Sequence, residues 1–192
     1  ENKILFCPIK PFRKSFQWIK SFDSKSEFQK YGSFTVIGSG LAAIEMVFAL
    51  RRRWPSRKLR LQSFPEKLHP SFKNALLEAK IDLSAPSAMV DGPALVCTGS
   101  KASKWLGKSG LQVTDFGRVI TKSTLQVPGK SNVFAVGDCG VVANHFRPPS
   151  GVWAVRVAKP LAKNIEKSFS KSRLCNWRPQ RKALQLLGGC NM

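Results

Sequence analysis

The chain has 192 residues, 43% of them hydrophobic, which allows one large domain or two small ones around a real core and excludes a disordered chain. Its 32 Lys and Arg against 11 Asp and Glu give a formal net charge of +21, but the cations are dispersed, which describes a solvated basic surface better than a nucleic-acid groove. No apolar run reaches the length of a membrane span, no amino-terminal signal pattern is visible, and five scattered cysteines without C-x-x-C spacing make neither a disulfide framework nor a zinc site.

Residues 1–33 read as a lead-in, with a short strand at Ile4-Leu5-Phe6, a proline-containing crossing and a helix near Phe16 to Ile19. Phe34 to Ile37 is then a buried strand that runs straight into Gly38-Ser39-Gly40-Leu41-Ala42-Ala43, and an apolar helix follows over 41–53. This is G-x-G-x-x-A between a strand and a helix. Gly38 permits the tight turn, Gly40 lets backbone approach a pyrophosphate, and Ala43 is small enough for close helix–strand packing. The free N–H groups of the helix's first turn would face the phosphates. A plain strand–turn–helix uses similar glycines and is the competing reading.

Trp54-Pro55-Ser56 breaks the helix, and Lys58 to Ser63 reads as the second strand. Dinucleotide folds place an acid at the end of that strand to bind ribose hydroxyls. Ser63 stands there instead, with Glu66 a little later, and the nearby Arg60 and Lys67 are candidate phosphate partners, so the sequence leaves NAD and NADP both open. A helix over Ser71 to Ala79, a strand at Ile81 to Leu83, and a strand over Ala94 to Thr98 follow. Ser84 to Pro93 leaves little room for further strands between the last two. After Gly117 and Arg118, a strand–turn–strand leads to Val133-Phe134-Ala135-Val136, read as a strand ending on Gly137-Asp138. That ending puts a carboxylate at the carboxyl end of a sheet, beside a residue with no side chain. Gly-Asp is also an ordinary turn signal, and Asp138 an ordinary helix cap. A helix over Gly151 to Asn164 closes the pattern, kinked or ended by Pro160. Cys97 and Cys139, beside strand ends, read as buried small hydrophobes. His69 and His145 read as surface histidines, and no metal-ligand spacing occurs.

The motif order resembles the flavoprotein pyridine nucleotide-disulfide oxidoreductases, in the branch close to type II NADH dehydrogenases. It runs G-x-G-x-x-A-x-E at Gly38 to Glu45, then Leu95-Val96-Cys97-Thr98-Gly99, then the Thr…VFAVGD box ending at Asp138. Within that branch it is similar to the oxidoreductases associated with selenophosphate synthetase. The likeness lies in Lys10-Pro11, Arg147-Pro148, Gly151 to Arg156 and the Pro179-to-Gly188 ending.

The resemblance implies an α/β, three-layer, Rossmann-like FAD/NAD(P)-binding fold in truncated form. Residues 1–33 would lead in from a flavin domain, 34–97 would be a shortened NAD(P)-binding half, and 98–192 the carboxyl-terminal part of the FAD-binding domain. The family's first flavin-binding glycine loop is absent, so the chain, which begins at Glu1, is expected to be the carboxyl-terminal part of a larger enzyme. The implied cofactors are FAD and NAD(P)H, with hydride passing to FAD and on to a small-molecule acceptor, quinone being one candidate. Gly38, Ser39, Gly40 and Ala43 would hold the nicotinamide pyrophosphate, with Glu45 near the nicotinamide end or simply stabilising its helix. Gly99 would lie near the domain hinge, and Gly137 and Asp138 would meet a ribityl or pyrophosphate-side hydroxyl of the flavin. Gly151 and Val152 would begin a helix aimed at the flavin's pyrimidine edge. A cytoplasmic setting is expected, with peripheral membrane contact a secondary expectation and nucleic acid disfavoured. Two other readings stay open: a catalytically inactive nucleotide-binding module, and a basic nucleic-acid or membrane-surface adaptor.

Overall fold

A computed structural model describes residues 5–24, 26, 29–99 and 101–180, and of Lys67 the backbone alone. Ile4, the part of the Pro179-to-Gly188 ending from residue 181 onward, and Cys190 lie outside the described residues. The described chain divides into two compact units at Gly99.

The first unit is a five-stranded, wholly parallel sheet of β1 (Phe6–Pro8), β2 (Phe34–Ile37), β3 (Leu59–Gln62), β4 (Ile81–Ser84) and β5 (Ala94–Val96). Parallel neighbours cannot be joined by a tight turn, so helices carry the chain between them. These are α1 (Phe12–Lys20), α2 (Leu41–Arg53) and α3 (Pro70–Glu78). The spatial order is β1-β5-β2-β3-β4. The chain therefore steps outward from β2 through β3 to β4, then returns to the other side of β2 as β5. The order reverses between β2 and β5, and beyond the carboxyl ends of such strands lies the crevice in which open α/β sheets take ligands. The wholly β-prone run Phe34-Thr35-Val36-Ile37, with Phe34, Thr35 and Val36 buried, suits a strand covered on both faces. The lead-in elements are shifted from the sequence reading: the strand is Phe6–Pro8, and the helix spans all of Phe12–Lys20.

One apolar core fills this unit, with Phe34, Phe48, Leu50, Leu59, Leu61, Leu76 and Leu95 buried. Phe34 lies among aromatic rings, with centroids 5.5 Å from Trp18, 5.7 Å from Phe22 and 5.1 Å from Trp54. The arginine triplet at the end of α2 does more than complement the helix dipole. Arg51 Nη1 donates to the carbonyls of Trp54, Pro55 and Arg57, and its Nη2 donates to the Lys80 carbonyl at 2.6 Å. Arg53 pairs with Asp23 at 2.5 Å, and Trp54 Nε1 donates to the same carboxylate at 3.0 Å. The Arg51 guanidinium thus holds the short connection after α2 through carbonyl oxygens, and Arg53 ties the helix end to the Asp23 carboxylate.

The second unit has a two-stranded parallel ladder, β6 (Val119–Thr121) against β7 (Gly140–Val142), with a short helix α4 (Trp105–Lys108) and the long helix α5 (Gly151–Phe169). Its apolar residues form two small clusters, one around Leu106, Val119 and Val127, the other around Leu125, Val142 and Val157. Three expectations are corrected here. Val133 to Val136 makes no strand: it meets residues 125–127 in a single antiparallel bridge, Phe134 to Gln126, flanked by the Val127 N–H to Val133 carbonyl and Ala135 N–H to Leu125 carbonyl bonds, and the pairing extends no further. The strand beside the Gly-Asp pair is β7, which follows it. Pro160 does not end its helix, since Val157 before it and Leu161 after it pack in the same cluster. Asn164, fully buried, also bonds the Thr124 and Cys175 carbonyls and accepts from the Cys175 N–H, holding the helix beyond the proline. Cys139 is exposed, not buried.

Candidate functional site

The Gly38–Ala43 turn sits where β2 gives way to α2. Gly38 has φ +149°, and a side chain there would place Cβ 2.7 Å from the Cys97 carbonyl oxygen and 3.1 Å from Ala43 Cβ. Its N–H donates to the Gln62 carbonyl at 2.9 Å, and the Cys97 N–H donates to the Ile37 carbonyl at 2.7 Å. The turn is therefore wedged between the ends of β3 and β5, and only glycine fits. Gly40 is different. It caps α2 in an extended conformation, and a Cβ there meets nothing within 4 Å. Ala43 is fully buried at the place where the helix approaches the strand. The three small residues thus do three distinct things: one closes the turn, one leaves space outside it, and one lets the helix pack. Space over an amino-terminal helix turn, at the point where strand order reverses, fits a pyrophosphate bonded by backbone N–H groups.

Ser39 joins the turn to the second strand. Its hydroxyl oxygen accepts from Ser63 Oγ at 3.1 Å and from the Phe64 N–H at 3.2 Å. Ser63, at the strand-end position where dinucleotide folds place an acid, is 2% exposed. Gln62 beside it is also buried, and its Nε2 faces the carbonyls of Ala85, Pro86 and Ala88 at 3.2, 3.0 and 2.6 Å. That amide secures the short β4-to-β5 connection, where the sequence shows no room for further strands. Arg60 lies inside β3, followed there by Leu61 and Gln62. It pairs across β3 with Thr35 and Asp82, donates to the Met89 carbonyl at 3.4 Å and lies 3.9 Å from Asp91. Glu66 is exposed on the 3-10 turn Pro65–Lys67. Glu45 is exposed on the second turn of α2, and Gly99 is exposed past the end of β5. Cys97, two residues before Gly99, is buried, and burial pushes its thiol pKa up to about 12.

In the second unit the Gly137-Asp138 pair forms a 3-10 turn, Gly137–Cys139, immediately before β7. Gly137 has φ +65°, and Asp138 is exposed. A side chain on Gly140 would overlap the Ala135 backbone, so the turn is pressed against 133–136 from behind. Arg118 organises this loop, a role that the sequence reading passed over. Its Nη1 donates to the Arg147 carbonyl at 2.6 Å, and its Nη2 to the Gly137 and Gly140 carbonyls at 3.1 and 2.5 Å. Burial lowers the Arg118 pKa, opposed by the neighbouring charge of Asp138 and then Cys139. The signal available in the sequence was a lone arginine directly before the apolar Val119-Ile120, hard to single out among 32 basic residues. Behind the loop lies a cavity of about 40 Å³ lined in part by Arg118, Gly137, His145, Arg147, Trp153 and Trp177, room for a water molecule or two and not for a ring system.

Helix α5 begins at Gly151 and Val152, as the sequence reading has it, with Ser150 at its cap making no side-chain hydrogen bond and no acid in its first turn. Its positive dipole end is thus not neutralised by its own sequence. His69 is exposed and caps α3, its Nδ1 accepting from the Ser71 N–H at 3.3 Å. Among the described residues no helix is long and apolar enough to cross a membrane, and no group of three His, Cys, Asp or Glu is placed to hold a metal.

No family model matches the chain. It is 23% identical over 206 residues to ferroptosis suppressor protein 1 of Xenopus tropicalis, covering 88% of this chain and 54% of that protein. The chain thus spans about half the length of the curated relatives it matches. Among solved structures, the water-forming NADH oxidase of Lactobacillus brevis bound to NADH superposes with TM-score 0.64 at 16% identity, over 85% of this chain and 42% of the other. A pyridine nucleotide-disulfide family oxidoreductase of Enterococcus faecalis superposes with TM-score 0.57 at 13% identity, over 87% and 44%. The chain has the α/β, Rossmann-like fold of the FAD- and NAD(P)-binding pyridine nucleotide-disulfide oxidoreductases, over part of their length.

Proposed function

We propose that this chain is part of a flavoprotein oxidoreductase that passes hydride from NAD(P)H to FAD and on to a small-molecule acceptor, with a quinone as one candidate. In this reading residues 34–97 hold the nicotinamide nucleotide, and residues 98–192 are the carboxyl-terminal part of the flavin-binding domain. The observation that carries it is the Gly38–Ala43 turn: a first glycine that cannot bear a side chain, a second with open space over it, and an alanine under the helix, all where the strand order reverses. The structure of the Lactobacillus brevis NADH oxidase, similar in fold, carries NADH.

The cofactors supply the redox chemistry when bound, so the work of this chain is placement and electrostatics. The first-turn N–H groups of α2 and the positive end of its dipole favour a pyrophosphate, and Gly40 leaves the room for it. Gly38 keeps the turn against β5, so the phosphate position is set by the sheet and not by a mobile loop. In the second unit Arg118 fixes the backbone of the Gly137–Gly140 loop and so the direction in which Asp138 is offered. The uncapped α5 amino terminus can stabilise negative charge near it.

The test is anaerobic addition of NADH or NADPH to the full-length gene product. A yellow protein whose flavin absorbance is bleached supports the proposal. A preparation that takes up no flavin and oxidises neither nucleotide overturns it. The short β4-to-β5 connection, residues 85–93, favours a second reading in which the first unit binds a nucleotide without turnover. Nucleotide binding without electron transfer to any dye or quinone would select that reading.

A further inference from the structure

We propose that the nucleotide site of the first unit does not select against a phosphate on the adenosine 2′-hydroxyl, so that it takes NADPH at least as tightly as NADH; this rests on the reading of Gly38–Ala43 as a pyrophosphate cradle. Dinucleotide folds favour NADH by a carboxylate at the end of the second strand, which bonds the ribose hydroxyls and repels a 2′-phosphate. Here that position is Ser63, neutral, 2% exposed and committed to Ser39. The neighbouring side chains are occupied as well. Gln62 is turned to the carbonyls of Ala85, Pro86 and Ala88. Asp82 and Asp91 lie by Lys58 and Arg60, in or beside the strand interior. Of the described acids in this unit, Glu66 follows the strand end most closely, exposed on its 3-10 turn.

Absence of a repelling carboxylate would by itself give near-equal binding. The net charge of +21 tips the balance, because a 2′-phosphate adds up to about two negative charges and a positive field favours the more anionic ligand. That part of the preference is long-range and screened by salt. The local part, the missing carboxylate, is not.

The experiment measures dissociation constants of NADH and NADPH for the full-length gene product, anaerobically and with any flavin already reduced so that no hydride is transferred, by the change in nucleotide fluorescence, at low salt and at about 0.5 M salt, where the screening length is only a few ångströms. The expected result is tighter NADPH binding at low salt and a ratio that moves towards one as salt rises. NADH binding tenfold tighter than NADPH at high salt overturns the proposal while leaving the cradle intact. Binding of neither nucleotide overturns the cradle reading and this proposal with it. Ser63→Asp is expected to weaken NADPH tenfold or more relative to NADH. Because Ser63 is buried that variant can unfold, so Glu66→Gln, on the surface, is the companion. It is expected to leave the ratio within about twofold of the original, a free-energy change under half a kcal/mol. A tenfold gain for NADPH in Glu66→Gln would show that Glu66 supplies the selecting carboxylate, and would overturn the proposal.

Discussion

The two units are stabilised by different means. The first has one continuous apolar core under a five-stranded sheet, and its polar ties secure the connections around that core. The second has a two-stranded ladder and two small clusters, and single polar side chains hold its long loops: Arg118 on the Gly137–Gly140 turn, Asn164 on Thr124 and Cys175. Dispersed packing loses little when one apolar residue is cut back, but a loop held by one guanidinium depends on that group. The same logic separates the two candidate loops. The Gly38–Gly40 turn is wedged between strand ends, whereas the Gly137–Asp138 turn is held by hydrogen bonds from one side chain.

The largest effect is expected from the aromatic centre of the first unit. Phe34→Ala removes a fully buried ring among Trp18, Phe22 and Trp54 and should cost about 3–5 kcal/mol in urea unfolding followed by tryptophan fluorescence. Val157→Ala in the second unit removes less volume from a smaller cluster and should cost about 1–2 kcal/mol; an equal loss at both sites would break the contrast.

Next come the glycines. Gly38→Ala is expected to disturb the turn itself, lowering the melting temperature and abolishing NADH or NADPH binding together. Gly40→Ala should fold with an unchanged circular-dichroism spectrum and lose tenfold or more in nucleotide affinity, because its Cβ points into open space and not into protein. Loss of stability without loss of binding in Gly40→Ala would contradict the division of roles.

Arg118→Ala leaves the carbonyls of Gly137, Gly140 and Arg147 without their donor and should cost about 1–3 kcal/mol. Hydrogen exchange over 137–147 should speed up while residues 34–62 keep their protection. Uniform acceleration would mean that the arginine acts globally. Arg118→Lys, with a single ammonium in place of the fork, should recover only part of the effect.

The smallest effect concerns Asp23. Its hydrogen bond from Arg53 holds its carboxyl below the usual carboxylate range, with burial acting the other way and Trp54 adding to the lowering. A depressed folded-state pKa stabilises above the unfolded value of about 3.9 and is lost as pH falls through the folded value. With the Asp23 side chain 42% exposed, solvent screening keeps this well under 1 kcal/mol. Asp23→Asn should therefore flatten the stability curve slightly below about pH 4, and change it little from pH 6 to 8 apart from a constant offset.

The parts of the fold legible in the sequence were those in which local chemistry and tertiary position agree. Phe34 to Ile37, the glycine turn and the helix to Arg53 follow one another because a buried parallel strand, a turn needing glycine and a helix packed on a sheet each leave a local mark. The Val133–Val136 run misled because β-branched and aromatic residues make a strand only where the pairing extends over several residues, and here it stops at one bridge to Gln126, which a single segment cannot reveal. Of the two outcomes Pro160 suggests, a kink or an end, the end does not occur, because the cost of one missing hydrogen bond is local while the contacts that offset it come from Leu125, Val142 and the Thr124 and Cys175 carbonyls. Arg118 was visible but unremarkable, since nothing in its neighbours announces which carbonyls it will meet. The same holds for Ser63: its identity was plain, its bond to Ser39 was not.

The Gln62 amide has two protons and three carbonyl oxygens within 3.2 Å. Such a donor is over-subscribed, so the 85–88 segment can trade one acceptor for another and shift slightly without ever being released. Gln62→Glu would turn the arrangement upside down, setting a carboxylate against three oxygens and forcing the segment away from the strand it now follows.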